Sequence, residues 1–143
     1  MLLSELHEQI NSASWNILEC EVFLASPGFI EGDDIDVYVT SIGEAAIDRD
    51  KKEIRLMPAS SNEPWNAGMP ILLLGMLLEQ LPSDAMLWGD FELLVELPLD
   101  RDSPSPALGS MASVNSLHVG QASGAAWFLV RPASEYANDA LPT

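Results

Sequence analysis

Two histidines, a single cysteine and 22 carboxylates are the groups in this chain that could do chemistry, and their spacing argues against most of it. Metal ligation needs converging His, Cys or carboxylate ligands, but His7, His118 and Cys20 stand far apart and no HExxH or CxxC occurs. Gly32 to Asp36 (Gly-Asp-Asp-Ile-Asp) and the Asp-Arg-Asp triplets at 48–50 and 100–102 lack the ligand order and terminal Glu of a calcium loop. Cys20 lies between Glu19 and Glu21, whose charge keeps a thiol protonated, so a buried structural cysteine is expected rather than a nucleophile. In Gly120-Gln121-Ala122-Ser123-Gly124 the serine is one place late for a nucleophile elbow. No phosphate-binding loop or dinucleotide fingerprint is present. Paired carboxylates for glycoside hydrolysis are too easily found in so acidic a chain to be specific. The expectation is a non-catalytic binding protein, with no metal and no cofactor.

The charge gives that expectation a direction. The formal net charge is −16, from 22 acids against six bases. Residues 1–48 hold ten acids and no Lys or Arg, and residues 56–100 hold seven more acids and again no base. Four of the six bases, Arg49, Lys51, Lys52 and Arg55, fall in one short stretch. Such a field repels nucleic-acid phosphates and anionic lipid and attracts basic proteins. Neither direct nucleic-acid binding nor membrane binding is expected. The first residues, MLLSELHEQI, have no basic leader region, and the apolar run Met69–Leu78 is too short for a bilayer. With a lone cysteine this suits a reducing, cytoplasmic setting.

These groups must be positioned by short alternating elements. Leu3, Leu6 and Ile10 recur at helical spacing and predict an amphipathic helix over residues 2–13. From Trp15 to Ala25 the pattern turns strand-like, with Cys20, Val22 and Leu24 facing one way. Residues 34–40 alternate as a second strand, and Ala45 to Met57 reads as strand, charged turn, strand. Pro70 opens a helix to about Leu81 that is apolar nearly all round and should be buried. Strands follow at 90–97, near 116–119 and at 125–130, after a flexible loop over 101–113.

At an offset of 71 the chain overlays itself: Leu2-Leu3 on Leu73-Leu74, Leu6 on Leu77, Glu8-Gln9 on Glu79-Gln80, Glu21 on Glu92 and Pro27 on Pro98. Further on, Pro58-Ala59-Ser60 matches Pro132-Ala133-Ser134 at an offset of 74. Internal repetition of this length points to duplication. The predicted fold class is α+β: two similar helix-plus-antiparallel-strand units sharing one core. The expected divisions are a first unit over 1–60, a linker over 61–70, a second unit over 71–134 and a flexible tail over 135–143.

By alternation the overlay places Glu19, Glu21, Asp90 and Glu92 on the non-core face of their strands, and Asp34 and Asp36 join them. These six are the candidate partner-binding residues, carboxylates spaced to imitate phosphates before a basic protein partner. An immunity protein, an inhibitor or a nucleic-acid mimic would use them so. Leu94, Trp127 and Leu129 share that outer face; a helix is expected to cover them, the other outcome being a partner or homodimer surface. The order helix, strands, helix, strands in a small acidic chain also resembles secretion chaperones of the type III class, in architecture and charge rather than in any motif. That resemblance implies the rival reading, a chaperone or adaptor that binds a polypeptide through apolar strand surface. The family's final helix has no counterpart here, because the segment after Pro132 is short and polar.

Overall fold

The computed structural model describes residues 1–31, 34–58, 72–82, 85–97, 110–136, 141 and 143; for 26–31, 34–40, 58, 85, 86, 96, 97 and 110 the backbone alone is described. The chain is an α+β protein in which a seven-stranded mixed sheet is joined by two helices and a further helical turn. The elements are α1 (Leu3–Ser12), β1 (Glu21–Glu31), β2 (Asp34–Asp48), β3 (Glu53–Pro58), α2 (Leu74–Gln80), the turn α3 (Ala85–Trp88), β4 (Glu92–Leu97), β5 (Ser110–Ser113), β6 (Ser116–Gly120) and β7 (Ala125–Leu129). No described helix is long and apolar enough to cross a membrane. The expected linker over 61–70 and most of the loop expected over 101–113 lie outside the described residues, and the end of that loop, 110–113, is β5.

The strand order is β5-β4-β3-β2-β1-β7-β6. Its two ends are consecutive in the chain, separated only by Val114 and Asn115. Val114 N–H donates to Leu93 O (2.9 Å) on one side and Asn115 N–H to Leu129 O (2.7 Å) on the other. β2 does the same work in the first half. Its residues 34–41 pair with β1 and those from Ile42 onward with β3, with the register irregular between Ile42 and Glu44. Alternation suggested two separate strands here; a bulge lets one strand bend and change neighbours instead. The result is two half-sheets, β2-β1-β7-β6 and β2-β3-β4-β5, each with a parallel pair at its centre.

Alternation sets the core. Cys20, Val22 and Leu24, then Ile54 and Leu56, Leu93 and Val95, and Ala126 and Phe128 are buried together with Leu3 and Leu6 of α1 and Leu74 and Leu77 of α2. This is the burial that period two on the strands and period 3.6 on the helices require. α2 is shorter than the expected 70–81. Leu72 and Leu73 are extended and lie beside β1, with Val22 N–H donating to Leu72 O (3.0 Å), so the helix starts only at Leu74. Nor is it buried all round, since Met76 is 48% exposed.

Contacts recur at the spacing read from the sequence. Leu3 N–H donates to Phe91 O and Leu74 N–H to Cys20 O; Leu93 N–H donates to Met1 O as Val22 N–H does to Leu72 O. The bridge Leu2–Glu92 is matched by Leu73–Glu21. Gln9 Nε2 donates to Leu117 O (2.6 Å), while Gln80 Oε1 accepts from Ala45 N–H (3.1 Å). Lys52 and Gly124, at an offset of 72, both take positive φ, 54° and 65°.

Candidate functional site

Glu19 is not on a strand. Ile17–Glu19 form a 3-10 turn because the Asn16 side chain accepts from Leu18 N–H (3.2 Å), and β1 begins only at Glu21. Glu19 is exposed and Glu21 half-buried. Asp90 lies in the turn before β4, and Glu92 is the first residue of that strand; both are exposed. Asp34 and Asp36 lie on the ribbon formed where β1 and β2 pair beyond the reach of β7, with Asp34 opposite Glu31. The six candidates therefore fall at three places. One is the start of β1, one the start of β4, and one the β1–β2 ribbon.

The starts of β1 and β4 are built alike but charged differently. At the start of β4, Lys52 O accepts from Glu92 N–H (2.9 Å) while Lys52 Nζ reaches Asp90 Oδ2 at 2.7 Å. The Lys52 ammonium holds the Asp90 carboxyl below the usual carboxylate range, chiefly through this hydrogen bond. Glu53 is the parallel partner of Glu92, Arg55 approaches Glu53 (3.5 Å), and Ser113 Oγ donates to Glu92 Oε1 (2.5 Å). Arg49 of the same turn stacks over the Trp88 ring at 5.1 Å. The turn that carries Arg49, Lys51 and Lys52 thus brings one of its bases to Asp90 and another to Trp88.

At the start of β1 the corresponding backbone bond is Glu21 N–H to Gly124 O (2.9 Å). Here Gly124 stands where Lys52 stood, Ala125 is the parallel partner of Glu21 where Glu53 partnered Glu92, and Trp127 takes the place of Arg55. Among the described residues neither Glu19 nor Glu21 makes an ion pair. Sequence reading named both acidic pairs but missed that their counter-ions differ. The signal was present in the clustering of bases at 49–55, opposite an uncharged Gln121–Trp127 at the same offset.

Among the described residues, no group of three or more His, Cys, Asp or Glu is placed to hold a metal. Cys20 is buried, and burial pushes its thiol pKa up, opposite to what a nucleophile needs. An open depression lined by Ile10, Trp15, Ile17 and Leu18 contains no titratable side chain. On the outer face, Leu129 is buried not by a helix but by Tyr136, from the stretch read as a tail. Its hydroxyl donates to Ala25 O (2.7 Å) and accepts from Val130 N–H (3.2 Å). Trp127 stays half-buried beside it. No family model matches the chain, no curated protein matches its sequence, and no solved structure matches its fold.

Proposed function

We propose that this chain is a non-catalytic acidic binding protein, built from two copies of one helix-and-strands unit, that covers a basic surface on a protein partner. The observation that carries the reading is the uncompensated pair Glu19 and Glu21. At the equivalent place in the second half Asp90 has Lys52 as its counter-ion, whereas at the first the position of Lys52 is taken by Gly124. A cationic partner gains most where the protein supplies no counter-ion of its own, because no existing ion pair has to be broken. Asp34 and Asp36, on a ribbon that also carries Glu31, extend the same field. The repeated backbone bonds at the starts of β1 and β4 support the two-copy architecture.

The test uses the protein as bait in an extract of its own cell, in parallel with a Glu19→Lys/Glu21→Lys variant and an Asp90→Lys/Glu92→Lys variant. Capture of a basic protein should be lost with the first variant and largely kept with the second. It should also fall away at about 1 M salt, where the screening length is about 3 Å. With the purified partner, the first variant should slow association most at low ionic strength. Capture indifferent to both variants and to salt would overturn the reading and favour the chaperone-like alternative, in which Trp127 and the apolar strand surface hold a polypeptide.

A further inference from the structure

Each half-sheet is shared between the two sequence halves. The half-sheet β2-β3-β4-β5 takes β2 and β3 from the first half and β4 and β5 from the second, and the other takes β1 and β2 from the first and β6 and β7 from the second. The parallel pairs at their centres, Glu53–Leu56 with Glu92–Val95 and Glu21–Ala25 with Ala125–Leu129, are where the halves meet. Each helix is likewise tied to the other half. Met1 to Leu3 bond to Phe91 and Leu93, and Leu72 to Leu74 bond to Cys20 and Val22. Gln9 of the first half reaches Leu117 of the second, and Gln80 of the second reaches Ala45 of the first. An unpaired half would present two bare edges of central strands and an uncovered row of core leucines.

A half with its central edges open leaves part of its apolar face uncovered and presents a template for strand pairing. The template is specific, because a slip of one residue would turn Val22, Leu24, Leu93 and Val95 away from the core. The connection between the halves needs little length. Pro58 pairs with Ile42, and Val22, which binds Leu72, is two strands from Pro58 across β2. That gap is about 10 Å at two strand spacings. Residues 59–71 could reach about 40 Å when extended. The joint is therefore not what sets the arrangement.

We infer that residues 1–58 and 72–143 are mutual folding partners, and that the surface between them recognises the matching half of a second copy as well as its own. This goes beyond the binding reading and stands independently of it, since it rests only on which strands and helices meet. Exchange of halves between two chains preserves every contact named above, a low-cost route to a dimer.

The first test inserts a protease site between residues 59 and 71 of the full chain and cuts it after folding. Both fragments should elute together at the intact size, with one unfolding transition whose midpoint falls on dilution. Nicked chains with tagged and untagged first halves, mixed in denaturant and refolded, should pair at random with the available second halves. Fragments that separate on cutting, folded or unfolded, would overturn the inference. The second test leaves the chain unaltered and follows amide exchange at Val22 and Leu93 in rising urea. Both should open through the same global event with the same urea dependence. Opening of Leu93 at urea concentrations where Val22 stays protected, or the reverse, would show two independent units and refute the claim.

Discussion

Tyr136→Phe isolates what the C-terminal segment contributes, because it deletes one oxygen and leaves the ring. In the folded protein that oxygen donates to Ala25 O at 2.7 Å and accepts from Val130 N–H at 3.2 Å, and both Tyr136 and Ala25 are buried. Each bond contributes about 1 kcal/mol net, and a buried backbone group left without a partner costs about 1–3 kcal/mol. A loss of about 2 kcal/mol is therefore expected. At roughly 3–4 °C per kcal/mol for a chain of this length, the melting temperature should fall by about 6–8 °C. The same hydroxyl carries a pH signature. Burial pushes the Tyr136 pKa above its ordinary 10.0, partly offset by the N–H groups of Val130 and Arg131, so the folded state favours the neutral phenol. The stabilisation is fully present below pH 10.0 and is lost as pH rises through the folded pKa. Thermal unfolding by circular dichroism from pH 7 to 11 should show a steeper alkaline loss for the natural protein than for Tyr136→Phe. Equal melting temperatures at neutral pH, together with identical alkaline profiles, would refute a structural role for this segment.

The paired left-handed positions give a second set of outcomes. Gly124→Ala should cost about 1 kcal/mol from backbone strain alone, since nothing lies within 4 Å of the added Cβ. Gly124→Asn should cost less, and an unchanged melting temperature in Gly124→Ala would contradict the φ of 65°. Lys52→Gly should relieve a similar strain while losing an ion pair whose side chains are 61% and 57% exposed, so its stability should match or slightly exceed the natural protein. That variant should also raise the Asp90 carboxyl titration, followed by carbon NMR, because Lys52 is what depresses it. In the natural protein the associated stability is present above the ordinary 3.8 and fades as pH falls through the lowered pKa; an Asp90 titration unmoved by Lys52→Gly would remove the ion pair from the account.

Much of the interior was legible from periodicity, because a strand buried on one face writes that face into its own sequence. Cys20, Val22 and Leu24, and Leu3 with Leu6, are where alternation and helical spacing put them. Glu19 was misplaced because the apolar pattern runs on through Ile17 and Leu18, while Asn16 closes a local turn that alternation does not register. The extended Leu72 and Leu73 were read as helix because a run of leucines carries no period of its own, and their partner Val22 is remote in sequence. Which strands lie side by side was equally hidden. Alternation reports a face but not a neighbour, so the parallel pairs β3–β4 and β1–β7 could not be read from it. Tyr136 looked like part of a polar tail because its contacts, Ala25 and Leu129, are set by tertiary placement.

The two acidic loci make a controlled comparison within one molecule. The strand starts are bonded alike at each, down to a positive φ at the residue that accepts from the first Glu of the strand. Glycine adopts that conformation freely, and it stands at the position facing Glu21. Facing Glu92 the position is filled by lysine, which the same conformation disfavours by about 1 kcal/mol. An exposed ion pair returns at most a similar amount, so Lys52 gains little in stability from being there. What it does change is charge, together with Arg55 on the neighbouring strand. At one locus the chain itself supplies a cation to Asp90, and at the other, among the described residues, neither Glu19 nor Glu21 has one. Folding energetics alone give little reason for that difference, whereas the proposed recognition of a basic partner at Glu19 and Glu21 would account for it.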